Sequence, residues 1–204
     1  MDPSNNILKK IYPKPHLNDY SNLSYDVEGL YSITHPTEAN IISTNIIKML
    51  NMNKSKIDND YKILDMTAGC GGNMISFCEH FKYAVGVENN ITRYTILEKN
   101  MLSYNYTNYK LICGDSLQMI DSTFDVFFID PPWGGPEYKK NVKVELTISN
   151  LTLVELIEMI PCNKLIVLKL PYNYNISTFS KYILLSKIEI KNILVLFLIR
   201  LEIS

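Results

Sequence analysis

Alanine is scarce in this chain, at three of 204 residues, and arginine scarcer still, with Arg93 and Arg200 against 18 lysines. We read both as codon bias and not as a demand of the fold. The four cysteines (Cys70, Cys78, Cys113, Cys162) contain no Cys-x-x-Cys pair. With three scattered histidines (His16, His35, His80) they complete no zinc pattern, so no metal is expected. Free thiols in a reducing compartment are the expectation. No apolar run exceeds the seven residues Ile193–Ile199, far short of a bilayer span. Residues 1–10 lack the apolar core of a signal peptide. We expect a soluble intracellular protein of nucleus or cytoplasm. No charge sign dominates: Lys plus Arg is 20, Asp plus Glu is 21, and the net charge is −1. That excludes a polybasic protein held on nucleic acid by bulk charge, though not a local basic patch. There are no internal repeats and no low-complexity segments.

What is present is ordinary globular composition, 47% hydrophobic and 20% charged. The length suits one domain with a small appendage. Residues 1–36 are polar and turn-rich, with Pro3, Pro13, Pro15 and Pro36. They predict an N-terminal arm of short helices, ahead of a domain over 37–204. Apolar spacing over 37–50 predicts an amphipathic helix, with Pro36 at its start. Strand and helix then alternate. Strands are predicted over 61–65, 83–87, 109–113, 125–130 and 164–170, and helices over 72–81, 91–104 and 151–160. A final pair of strands, 188–190 and 193–201, reads as a hairpin. Short apolar strands separated by helices predict an α/β fold with a doubly wound, mostly parallel sheet. The hairpin adds an antiparallel pair and brings the count to seven strands.

In such a sheet ligands sit beyond the carboxyl ends of the strands. After the first strand stands Asp65-Met66-Thr67-Ala68-Gly69-Cys70-Gly71-Gly72-Asn73. The glycines allow a tight turn and close approach of a ligand to the main chain. The stretch is neither the dinucleotide fingerprint nor a phosphate loop. Its acid precedes the glycines, where a carboxylate would meet a cation such as the amino group of a methionine moiety. Glu88, after the second strand, is placed to accept two ribose hydroxyls. Asp115, after the third, can accept from an exocyclic amine such as adenine N6. Each acid alone is more often a solvated loop residue or a helix cap. Three of them with a glycine turn, at successive strand ends, resemble the class I S-adenosylmethionine-dependent methyltransferases.

After the fourth strand stands Asp130-Pro131-Pro132-Trp133. Two prolines fix an extended backbone and remove two N–H donors. A carboxylate plus a proline carbonyl can grip both protons of an exocyclic NH₂ group and aim its lone pair at a sulfonium methyl. Trp133, the only tryptophan, can stack on a base. A core anchor is the bland alternative for it.

The longer string Asp130-Pro131-Pro132-Trp133-Gly134-Gly135-Pro136-Glu137-Tyr138 resembles the trimethylguanosine synthase family, cap-specific guanine-N2 methyltransferases. The cofactor turn, Asn73 included, and the upstream stretch Asp26-Val27-Glu28-Gly29-Leu30-Tyr31-Ser32-Ile33-Thr34 resemble that family in the same order, across roughly residues 20–175. The resemblance implies S-adenosylmethionine as cofactor, bound by Thr34, Asp65, Thr67, Gly69, Gly71, Asn73, Glu88 and Asp115. It implies Asp130, Pro131 and Trp133 as the reacting end. Pro132, Trp133, Glu28, Ser32, Tyr138 and the lysines Lys9, Lys10 and Lys14 would hold the cap. Two departures stand out. His35 separates Thr34 from Pro36, where the family has Thr-Pro. Tyr172 follows Leu170-Pro171, where the family often has arginine, so Lys169 or Lys139 would replace one phosphate contact.

The implied function is methyl transfer to N2 of 7-methylguanosine in an RNA 5′ cap, by a monomer acting on capped RNA without membrane or DNA. Two other readings remain open. The Asp-Pro-Pro-Trp core alone permits adenine-N6 methylation of RNA or DNA. A cap-binding module on an inactive methyltransferase fold is the non-enzyme reading.

Overall fold

The computed structural model describes residues 3–52, 54, 59–135, 137 and 145–202, with side chains from Asn6 onward. Tyr138 and Lys139 lie outside the described residues. The arm holds α1 (Pro3–Ile11) and α2 (Gly29–Ser32). The chain continues as α3 (Pro36–Leu50), β1 (Lys62–Asp65), α4 (Gly72–His80), β2 (Tyr83–Glu88), α5 (Ile91–Leu102), β3 (Tyr109–Cys113) and β4 (Val126–Ile129). It ends with β5 (Thr147–Ile148), β6 (Leu151–Thr152), α6 (Leu153–Met159), β7 (Leu165–Pro171), β8 (Ile183–Ile190) and β9 (Ile193–Ile199).

Seven strands form one sheet in the order β3-β2-β1-β4-β7-β9-β8. The first five are mutually parallel. Strand β9 inserts antiparallel between β7 and β8. The strand pattern therefore folds as the sequence predicts, into a doubly wound sheet with a C-terminal antiparallel hairpin. The order reverses at β1 and β4, which opens a crevice beyond their carboxyl ends.

Period-2 alternation sends successive side chains to opposite faces. Ile63, Val126, Phe128, Val167, Val195 and Phe197 face one core, covered by α3, α4, α5 and the arm residues Leu8, Tyr12, Tyr20 and Leu23. Leu64, Phe127, Ile129, Ile166, Leu168 and Leu196 face the other, covered by α6 with Phe124, Phe179 and Tyr182. On this second side the β3–β4 and β7–β8 connections carry only single 3₁₀ turns, Ser116–Met119 and Ile176–Phe179.

Most element bounds shift by one or two residues from the sequence pattern, and two differences and one added element have a readable cause. Strand β8 starts at Ile183, not 188, because its first residues lie half-exposed at the sheet edge and show no clean alternation. The helix expected over 151–160 starts at Leu153, where Thr152 and Glu155 form a capping box. Residues ahead of it make a two-stranded hairpin, β5–β6, turned by Ser149 (φ 49°) and Asn150 (φ 66°). Two consecutive positive φ angles match the twist of a tight hairpin.

Candidate active site

The glycine turn is built so that the arm can lie directly on it. Gly69 and Gly71 have φ of +56° and +100°, which disfavours any side chain there. A Cβ at Gly72 would stand 2.8 Å from the Thr34 carbonyl oxygen and 2.7 Å from Ile33 Cγ1. Thr34 is buried, and its Oγ1 accepts from Asn73 Nδ2 at 3.0 Å. The extra residue His35 caps α3 through Nδ1, which accepts from the Thr37 N–H. The extra residue is absorbed in a helix cap, and Thr34 stays against the glycine turn.

Asp65 ends β1 with no solvent exposure. Its Oδ1 accepts from the Thr67 N–H at 3.0 Å, while Oδ2 has no hydrogen-bond partner among the described residues. Burial pushes its carboxyl up to about 8, Asp130 and Glu88 adding to the effect, against the Thr67 N–H and Lys169. Asn73 Oδ1 is also buried without a partner. Glu88 Oε2 accepts from the Gly69 N–H at 3.0 Å and Oε1 from the Asn90 N–H at 2.9 Å, so the second acid holds the turn after the first. Asp115 Oδ1 accepts from the Leu117 N–H at 3.1 Å and from Ser149 Oγ at 2.9 Å. The β5–β6 turn, invisible in the sequence pattern, is thus tied to the third acid.

Arg93, in the first turn of α5, has no local sequence signal and emerges only from the structure. Its guanidinium reaches 67 residues back to Asp26 Oδ2, at 3.0 Å from both Nε and Nη2, and also pairs with Glu28. Its Nη1 lies 3.9 Å from Glu88 Oε1. The Asp26 carboxyl is penalised by burial, yet the Gly29 N–H and Arg93 outweigh that and hold it below the usual range. Glu28, a cap-contact candidate, is therefore committed to a clamp that fastens the arm beside Glu88.

At the reacting end, the Thr67 hydroxyl accepts from the Asp130 N–H at 2.8 Å and so joins the β1 and β4 loops. Asp130 Oδ2 accepts from Lys169 Nζ at 2.5 Å, and this ammonium lies 5.2 Å from the centroid of the Trp133 ring. Lys169 is 4% exposed. It faces inward to the reacting end, not outward as a stand-in for the family's phosphate arginine. Burial pushes the Asp130 carboxyl upward, with Lys169 opposing. Pro131 is buried, Pro132 exposed and Trp133 half-buried. A Cβ at Gly135 would stand 3.7 Å from the Tyr31 hydroxyl, so the arm borders the turn after Trp133.

Of the three N-terminal lysines, Lys14 lies away from this crevice. Tyr104 donates to the Pro13 carbonyl and the His16 N–H donates to Ser103, which anchors Lys14 at the C-terminal end of α5. Twelve residues of helix put that end roughly 18 Å from Asn90. Lys9 and Lys10 are exposed on α1, with the Lys9 ammonium 5.8 Å from the centroid of the Tyr20 ring. Ser32 is exposed in α2.

Two buried acceptors without partners, Asp65 Oδ2 and Asn73 Oδ1, flank a turn open to close approach. They suit an ammonium donor, and three carboxylates at successive strand ends suit an amine-, hydroxyl- and adenine-bearing cofactor. Among the described residues no group of three or more His, Cys, Asp or Glu could hold a metal ion, and no helix is long and apolar enough to cross a membrane.

Residues 60–198 match the model of the RNA cap guanine-N2 methyltransferase family. The chain belongs to that family. The match contains all three acids, the glycine turn and the Asp130–Trp133 segment, while the arm lies ahead of it. Relatives include an uncharacterised protein of Acanthamoeba polyphaga mimivirus, 37% identical over 57% of this chain and 48% of its own length. The trimethylguanosine synthase of Saccharomyces cerevisiae is 35% identical over 46% of this chain and 32% of its own length. That of Schizosaccharomyces pombe is 26% identical over 55% and 47%. The matches thus span less than half of these relatives. The fold is shared with a precorrin-6y methyltransferase of Geobacter metallireducens (TM-score 0.57, 15% identity, 94% of this chain and 100% of that one). It is shared too with an RNA methyltransferase of Salinibacter ruber in complex with S-adenosyl-L-homocysteine (TM-score 0.53, 11% identity, 80% and 94%).

Proposed function

We propose that this chain, as a cap guanine-N2 methyltransferase, moves the methyl of S-adenosylmethionine to the exocyclic N2 of 7-methylguanosine in an RNA 5′ cap. The product is a 2,7-dimethyl- or 2,2,7-trimethylguanosine cap. The observation that carries this reading is the Thr67–Asp130 bond. It fixes the acid-lined cofactor turn and the Asp-Pro-Pro-Trp segment to each other across the β1–β4 crevice.

The cofactor supplies a methyl group already activated by sulfonium, so no covalent enzyme intermediate is needed. Asp65 Oδ2 and Asn73 Oδ1 receive the ammonium. Glu88, with spare lone pairs on oxygens that already hold backbone N–H groups, receives the ribose hydroxyls, and Asp115 receives the adenine amine. Asp130 and the Pro131 carbonyl accept the two N2 protons and turn the nitrogen lone pair towards the methyl. Positioning of this kind can contribute about 7–11 kcal/mol to lowering the barrier. Asp130 or water takes the proton lost from N2. Trp133 stacks on the base, and the positive charge of an N7-methylated ring strengthens that stacking by about 0.5–2 kcal/mol. Residues 1–36 act as a lid fastened by Arg93, with Glu28, Ser32 and Thr34 inside it. The cap phosphates fall to Tyr138 and to Lys9 and Lys10 of α1. The partner is capped RNA, met by a monomer in nucleus or cytoplasm.

Because Trp133 is the only tryptophan, its fluorescence reports the base slot alone. Titration with a 7-methylguanosine cap analogue should quench it about 2- to 30-fold more tightly than the same analogue lacking the N7 methyl. Equal quenching by both, or by adenosine, would overturn the reading.

A further inference from the structure

Lys169 is the buried cation of the reacting end, and neither the glycine turn nor the lid uses it. It sits in β7, the strand paired with β4 on the side away from β1. At 4% exposure it has lost nearly all its water, and a buried ammonium is retained only when paired. Its partner is Asp130 Oδ2 at 2.5 Å, and its Nζ also lies over Trp133, 5.2 Å from the ring centroid. One side chain therefore touches both residues that meet the acceptor base. Asp130 Oδ1 has no protein donor among the described residues, and the side chain remains 15% exposed. One oxygen is held inside and the other is left for an incoming N–H.

We propose that Lys169 is a positioning residue for methyl transfer, whose ammonium keeps Asp130 an oriented carboxylate and lies over the ring of Trp133. The inference rests on the cap-N2 reading and adds to it how the acceptor grip is kept in its working form. The charged groups around Asp130 are Lys169 from β7, Asp65 from β1 and, beyond it, Glu88 from β2. Two of these three are acids. Without Lys169, Asp130 would stand buried with no charge opposing the cost of burial, and its neutral form would be favoured. A neutral Asp130 can still accept through its carbonyl oxygen, but it loses the negative charge that draws the N2 protons and takes one up after transfer. The Asp130–Lys169 pair is also neutral as a unit, so a cationic 7-methylguanine can stack on Trp133 without facing an uncompensated ammonium.

The test uses the full chain and two variants. Lys169→Met keeps the length of the stem without charge, and Lys169→Gln keeps an N–H donor without charge. Three quantities are read: cofactor affinity by calorimetry, the pH profile of kcat for cap methylation, and the titration of the Asp130 carboxyl by carbon NMR with labelled aspartate. Both variants should bind cofactor within threefold of the wild type and lose 10- to 100-fold in kcat at pH 7. The acid limb of the profile and the Asp130 midpoint should both move up by at least one pH unit, with activity partly recovered at pH 9. A kcat within threefold of wild type, or a loss with an unmoved acid limb and carboxyl midpoint, overturns the proposal. Wild-type transfer to adenine and not to the cap would overturn the cap reading, while the carboxyl titration still decides what Lys169 does to Asp130.

Discussion

In the proposed reaction, the two sides of the β1–β4 crevice recognise their ligands by different physics. On the cofactor side, carboxylates already accept backbone N–H groups: Glu88 holds Gly69 and Asn90, and Asp115 holds Leu117. Their spare lone pairs are aimed by bonds that exist without any ligand. Glycines with positive φ and the close pass of Thr34 over Gly72 leave that turn one conformation. On the acceptor side there is one buried ion pair, one indole and a diprolyl backbone without donors. Under the proposed function, selectivity there would come from ring charge and stacking. A hydrogen-bonding cradle can be shared by a whole fold, whereas in the proposed reaction the stacking slot would single out one kind of acceptor base.

If the two sides are separable, the largest effect should come from Trp133→Ala. Loss of stacking and alignment should lower kcat/KM for the cap by 100-fold or more, while cofactor affinity stays within about threefold. An equal loss of cofactor affinity would make Trp133 structural and erase the distinction.

Asp65→Asn probes the other side. Charge-assisted hydrogen bonds contribute about 1.5–3 kcal/mol, so cofactor affinity should fall about 10- to 100-fold. Base stacking, read by Trp133 fluorescence, should be unchanged. Calorimetry gives the affinity, and an unchanged value would sink the role assigned to Asp65. The wild type should also show linkage. A carboxyl raised by burial to about 8 keeps its proton in the cofactor-free protein. Its folded value lies above its unfolded one, so the empty protein should lose stability as pH rises from about 4 to 8. Cofactor binding must release that proton, and affinity should rise by up to about tenfold per unit between pH 6 and 7.5. Asp65→Asn should flatten both slopes.

Much of this was legible in the sequence, and the rest was not, for identifiable reasons. The buried parallel strands announce themselves as apolar runs, and the strand-end acids follow from them. The Ser149-Asn150 hairpin is two residues per strand, too short for any periodicity. Arg93 is significant only through partners 65 and 67 residues away. Lys169 reads from its position as a phosphate ligand, and only packing shows that it turns inward to Asp130. Lys14 sits in the right segment of sequence but at the wrong end of α5.

Smaller changes at the lid should sharpen the comparison. Gly72→Ala drives a Cβ into backbone and into Ile33, an overpacking that costs about 1–3 kcal/mol. A thermal melt should show that loss, and cofactor affinity should weaken because Thr34 must move away from Asn73. A melt unchanged from wild type would show that the arm yields freely. Arg93→Met leaves Asp26 and Glu28 uncompensated and should cost about 1–3 kcal/mol. Its effect on cofactor affinity should exceed its effect on base stacking, since Glu88 is the nearer neighbour. The reverse order would place the lid on the acceptor side alone.

The most direct measurement is product mapping with isotopically labelled S-adenosylmethionine. The acceptors are RNA with a 7-methylguanosine cap, the same RNA with an unmethylated cap, and uncapped RNA, digested to nucleosides after reaction. The label should appear on N2 of 7-methylguanosine and nowhere else. Label on adenine N6, or equal labelling of the cap without the N7 methyl, would contradict the account.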